Sequence, residues 1–187
     1  MAVAAGDLAE AEPPEIGDER RTIVKIMKLS DAQAFLSEAA RNEILTCIAE
    51  VEKRTSAEIK VLIVAASSWL PRLSKKDQEQ AVQKRAIQEY QLLGIGNTHD
   101  DTGILIMISL EERKVRVLAG EGINRKVPPT TWSTAASGIT QSFKSDLHSK
   151  GICTAINDIG MHLTEHFPIN PDDTNEISNS IVIKGRK

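Results

Sequence analysis

The sequence predicts an α/β fold: a three-layer α/β/α sandwich on a small mixed sheet containing one βαβ unit and a β-hairpin. Two short runs of branched apolar residues, 59–64 and 104–109, lack the alternation of a half-wet strand and read as strands covered on both faces. A helical stripe separates them, so the two strands are expected to lie parallel with a right-handed crossover. The charged stretch Glu111-Glu112-Arg113-Lys114 then reads as a turn, returning residues 115–119 antiparallel beside the second strand.

The remaining elements follow from spacing and caps. Residues 1–20 mix Ala, Glu, Pro and Asp without periodicity and read as a flexible arm. The domain proper is assigned to 21–168 and a polar tail to 169–187. Ser30 with Gln33 has capping-box spacing, and Phe35, Ala39, Ala40, Ile44, Cys47, Ile48 and Val51 continue one long helical stripe to Lys53. After a loop with Trp69 and Pro71, Ser74 and Asp77 match a second cap. Ala81, Val82, Ala86, Ile87, Tyr90 and Leu93 form its apolar face, and Gly94 ends it. Pro128-Pro129-Thr130 opens a third helix whose inward positions are Trp132, Ala135, Ala136, Ile139 and Phe143. A fourth, from about Ser149 to His166, carries Ile152, Ile156, Ile159 and Leu163 and stops at Pro168.

Composition narrows the function. The 187 residues carry 23 basic and 26 acidic side chains and only 3% aromatics, with no dense Lys/Arg block, which argues against nucleic acid as a partner. The longest apolar run, 59–66, contains Lys60 and falls far short of the roughly 20 residues a membrane helix needs. Acids close to the N-terminus and the lack of a basic start before an apolar block predict no signal peptide, hence a cytoplasmic protein. Cys47 and Cys153 both fall on apolar helix positions and are expected to act as small hydrophobes.

The topology also makes a prediction about acids. Glu58 precedes the first strand, Asp100 and Asp101 precede the second, and Glu121 follows the third, which runs the other way. All four are therefore expected at one edge of the sheet. Oxygen-rich groups of this kind suit hard cations, so the expected metal ligands are Glu58, Asp100, Asp101 and Glu121, and the expected ion is Ca²⁺ or Mg²⁺. Gly120 and Gly122 flank Glu121 and permit close backbone approach or positive φ. His99 and Asp101 are the candidates for proton transfer in any catalysis at that edge. Other motifs are missing. His162 and His166 stand i, i+4 apart, but the stretch His-Leu-Thr-Glu-His is not the zinc-protease signature. Gly94-Ile95-Gly96 follows a helix rather than a strand, and there is no GxSxG.

Several short motifs occur in order: Arg54-Thr55-Ser56-Ala57-Glu58-Ile59, Asp101-Thr102-Gly103-Ile104-Leu105, Arg113-Lys114-Val115, Gly120-Glu121-Gly122-Ile123, Phe143-Lys144 with Gly151-Ile152, and the ending Asp172-Asp173-Thr174-Asn175-Glu176-Ile177-Ser178. Together they resemble the TPM domain family, a thylakoid-lumen-protein and phosphatase-like domain, in its small bacterial branch. The resemblance implies an α/β/α sandwich, divalent-cation binding in some members and an acid-phosphatase activity ascribed to plant relatives. Three readings follow: a cation-binding domain with weak or no catalysis, a metal-dependent phosphatase of phosphomonoesters, or an interaction domain that docks a protein partner.

Overall fold

A computed structural model describes residues 28–68, 74–170 and 172–186. The arm assigned to 1–20 and the loop with Trp69 and Pro71 lie outside the described residues. The elements run α1 (Leu29–Ala34), α2 (Glu38–Glu52), β1 (Glu58–Val64), α3 (Lys75–Leu92), β2 (Gly103–Ser109), β3 (Lys114–Ala119), α4 (Glu121–Asn124), α5 (Pro129–Phe143), α6 (His148–His166) and β4 (Ile181–Lys184), with two 3-10 turns at Ile95–Asn97 and His99–Asp101.

The sheet order is β3-β2-β1-β4. β1 and β2 are parallel and β3 returns antiparallel to β2, as the crossover and hairpin predict. The sequence reading missed β4. The apolar trio Ile181-Val182-Ile183 pairs parallel with β1, so residues that read as tail form the edge of the sheet.

Side-chain alternation divides the sheet between two apolar layers. Ile59, Val61, Ile63, Ile104, Ile106 and Ile108 face a core built with α2, α5 and α6. Leu62, Val64, Leu105 and Met107 face Val82 and Ala86 of α3. This is the three-layer sandwich, and the two central strands, β1 and β2, are buried along their length because both faces are covered, whereas the edge strands β3 and β4 are half-buried.

Local details depart from the expected helices. The first is not continuous. Ser37 caps α2 through a hydrogen bond from the Ala40 N–H at 3.2 Å, and the chain breaks between α1 and α2, so Ser30 is not a cap. On α3 the apolar stripe is rotated: Ile87 is exposed, whereas Arg85 and Glu89 are buried as an ion pair 2.9 Å apart. Lys184 of β4 reaches the same Glu89, which explains why that side of α3 holds charge. The cysteines also differ from expectation. Cys47 on α2 and Cys153 on α6 form a disulfide with Cα atoms 5.7 Å apart, because the two helices pack closely enough to bring both stripes together. Gly160 reflects the same closeness, since a Cβ there would lie 2.7 Å from a Val51 methyl carbon.

Candidate functional site

Strand direction gathers the acids at one rim. Glu58 is in register with Gly103, its N–H donates to the Thr102 carbonyl at 3.2 Å, and the Gly120 N–H donates to the Gly103 carbonyl at 2.9 Å. The starts of β1 and β2 and the end of β3 therefore meet. Because β4 runs parallel to β1, the residues just before it arrive at the same rim.

The loop before β2 has an unusual backbone. Asp100 and Asp101 both adopt left-handed conformations, with φ of 61° and 55°. Non-glycine residues are seldom found there, and two in succession require support from their surroundings. That support comes from the loop after β3. A Cβ on Gly120 would fall 2.0 Å from the Asp101 carbonyl oxygen, and one on Gly122 would fall 1.9 Å from the Asp100 carbonyl oxygen. Of the two glycine roles foreseen, close approach is the one used, since neither has positive φ. Asp101 Oδ2 accepts the Glu121 N–H at 2.8 Å, fastening the two loops together. Thr102 adds hydrogen bonds to the His99 carbonyl (3.0 Å) and, from its N–H, to Thr98 Oγ1 (2.9 Å). Tyr90 closes the inner side by donating to the Gly103 carbonyl at 3.1 Å; burial, followed by the nearby Asp101 charge, pushes its hydroxyl up to about 12.

The predicted ligands occupy two different settings. Glu58 is buried: Oε1 accepts the Glu176 N–H at 2.9 Å, and Oε2 has no partner among the described residues. Burial, with the negative charges of Asp173 and Glu176, raises its pKa, while the backbone donors of Glu176 and Ile177 oppose the rise. Asp100 and Glu121 instead extend into solvent. Asp100 Oδ2 lies 3.1 Å from His99 Nδ1, and Glu121 Oε1 lies 3.4 Å from Arg125. All the predicted site residues thus share a rim, but among the described residues no three His, Cys, Asp or Glu side chains are grouped so as to hold a metal ion.

Beside the rim is an open cavity of about 500 Å³ lined by Ser56, His99, Asp100, Asp173 and Glu176, together with Asn170, Asp172 and Thr174. None of these is Lys or Arg. A phosphate dianion entering it would meet four carboxylates and one imidazole.

The sequence profile of the TPM domain family matches residues 29–162, most of the chain and all of the elements around this rim except the tail. The chain belongs to the TPM domain family. Two solved structures share the fold. The BA42 protein of the psychrophilic bacterium Bizionia argentinensis, determined by NMR, is 30% identical over 81% of this chain and 96% of its own, with a TM-score of 0.67. The N-terminal domain of a protein from P. gingivalis, also an NMR structure, is 17% identical over 78% and 99% respectively, with a TM-score of 0.55, a likeness of fold alone. No curated protein matches the chain in sequence. Among the described residues of this TPM domain, no helix is long and apolar enough to cross a membrane.

Four residues of this TPM domain's rim were not foreseen: Glu52, Lys60, Asp173 and Glu176. Glu52, at the end of α2, accepts the Ile59 N–H (3.0 Å) and Asn179 Nδ2 (2.6 Å); burial, with help from the Glu58 charge, pushes it up to about 7. Lys60 is buried and donates to Ser180 Oγ at 2.7 Å and to the carbonyl and hydroxyl of Ser178. Glu176 accepts the His99 N–H at 2.9 and 3.1 Å, so it ties the tail to the acidic loop. A signal existed. Reading Ile181-Val182-Ile183 as a strand parallel to β1 would have carried the preceding acids to this edge.

Proposed function

We propose that this TPM domain binds a divalent cation, Ca²⁺ or Mg²⁺, at the rim formed by Glu58, Asp100, Asp101 and Glu121, with weak or no catalysis. The observation that carries this reading is the pair of consecutive left-handed aspartates held against Gly120 and Gly122. Backbone strain of that kind is kept where a loop must present groups in a set geometry.

The donor types suit the ion, although among the described residues no three of the acidic side chains converge on one point. Carboxylates and backbone carbonyls are hard oxygen ligands, and Ca²⁺ accepts six to eight of them in flexible geometry. Glu58 Oε2 is a buried carboxylate oxygen without a hydrogen-bond partner among the described residues, with the Ile177 backbone donor near the carboxylate. Asp100 and Glu121 are exposed and can turn toward an ion without disturbing the core. A bound cation would supply positive charge among mutually repelling carboxylates, and at the neighbouring cavity it would be needed before any phosphate could enter. The cavity's acidic lining is the reason for ranking cation binding ahead of phosphatase chemistry by His99 and Asp101.

Titration of the full chain with CaCl₂ and MgCl₂, followed by amide shifts and melting temperature, tests the proposal. Shifts at residues 100–103 and 120–122 and a raised melting temperature are expected, both lost in Asp101→Asn. An unresponsive chain at millimolar ion, or an Asp101→Asn variant that responds as the parent does, overturns it.

A further inference from the structure

A second cavity lies at the other end of the sheet from the acidic rim, where β2 leaves for the turn into β3. Its volume is about 400 Å³, a size usual for small-molecule sites. The length of β2, roughly 20 Å of extended chain, separates it from the rim. Much of its lining is apolar. Ile108, Leu110 and Val115 are buried there, and the rings of Phe35, Phe143 and His148 form a cluster with centroids 4.6, 5.0 and 5.4 Å apart.

The charge at this cavity is of one sign. Arg113, Lys114 and Lys144 line it, and no Asp or Glu does. The nearby acids are engaged elsewhere: Glu79 takes Lys114 and Arg116, Glu111 pairs with Arg186, and Glu112 accepts the Ser67 N–H at 2.9 Å and the Ser109 hydroxyl. Asp146, close to Lys144 in sequence, is exposed and outside the lining. Arg113 and Lys144 are thus left without a carboxylate partner among the described residues. Arg113 also has a left-handed backbone, with φ of 53°, at a turn position that suits Gly, Asn or Asp. Nothing in the turn's backbone favours an arginine there, so its use lies in its side chain.

We infer that this cavity binds an alkyl carboxylate of medium chain length, with the chain among the rings and aliphatic side chains and the carboxylate at Arg113 and Lys144. A guanidinium matches a carboxylate through two parallel hydrogen bonds, and an ammonium adds a point charge. A neutral apolar ligand would leave both cations unpaired, and a small hydrophilic anion would leave the apolar wall uncovered. The site stands apart from the rim, whether or not an ion binds there.

Octanoate, kept below its micelle-forming concentration, is titrated into the full chain and followed by calorimetry and amide shifts, with octanol and butanoate as controls. The combined Arg113→Asn and Lys144→Gln variant is titrated alongside; Asn suits the left-handed backbone at 113, and circular dichroism and melting verify folding. The expected result is shifts at 108–115 and 140–148 but not at 100–103, and an affinity for octanoate at least tenfold above that for either control. At least a tenfold loss is expected in the combined variant. Should that variant not fold, Lys144→Gln alone, at an exposed helix end, is expected to lose about threefold. A chain that ignores millimolar octanoate, equal affinity for octanol, shifts confined to other surfaces, or parent-like affinity in the folded variant overturns the inference.

Discussion

The Glu176 N–H donates to Glu58 Oε1 at 2.9 Å, joining residues 118 positions apart in sequence. This bond sets the tail against the rim, and the buried carboxylate it leaves half-satisfied makes the rim sensitive to charge.

Gly122→Ala is expected to destabilise the domain by about 2–3 kcal/mol, as overpacking against fixed backbone does. Its Cβ would stand 1.9 Å from the Asp100 carbonyl oxygen, which cannot rotate aside. Urea denaturation checks the energy. Asp100 amide shifts check the location, and an unchanged midpoint would show that the two loops do not pack as described.

Stability should fall as pH rises from about 4.5 to about 7, because Glu52 titrates near 7 in the folded chain against 4.5 when exposed. The folded state keeps the proton over that window and the unfolded chain does not, so each step up in pH favours unfolding. After allowance for solvent screening at this part-exposed group, the loss is about 1–2 kcal/mol. Glu52→Gln should flatten that part of the stability curve, and chemical denaturation at pH 5 and pH 7 provides the comparison.

Reducing the Cys47–Cys153 bond, or replacing both residues with Ser, should cost about 2–5 kcal/mol, since the bridge closes a long loop across 106 positions. Melting with and without dithiothreitol measures it. A parent protein indifferent to reductant would mean the thiols are not paired in solution.

Lys60→Met should loosen the tail without unfolding the core, because the ammonium is bound to Ser178 and Ser180 while its stem runs along the buried strand. Amide exchange at Ile181, Val182 and Ile183 is expected to rise at least tenfold, with exchange in β2 unchanged. Equal acceleration in both strands would count against a local role.

Much of the rim was legible because strand direction is a local deduction. Two largely apolar runs flanking a helix are expected to be parallel, a four-residue charged turn reverses the chain, and so Glu58, Asp101 and Glu121 are carried to one edge. The spacing of apolar residues likewise placed α3, α5 and α6 within a residue or two. What that reasoning could not see was registry between distant pieces. A four-residue strand such as β4 has too few residues to show a period, and its pairing with β1 is decided by an edge left open elsewhere in the chain.

The sequence by itself determined the sandwich, the hairpin and the edge to which four carboxylates go, since periodicity and turn chemistry act over a few residues. Tertiary packing alone decided that Asp173 and Glu176 stand beside Glu58, that Lys60 turns from that carboxylate to the tail serines, and that Cys47 meets Cys153. Such partnerships depend on how close two separately formed surfaces come, and that distance is fixed by the volume of every side chain between them rather than by any short pattern.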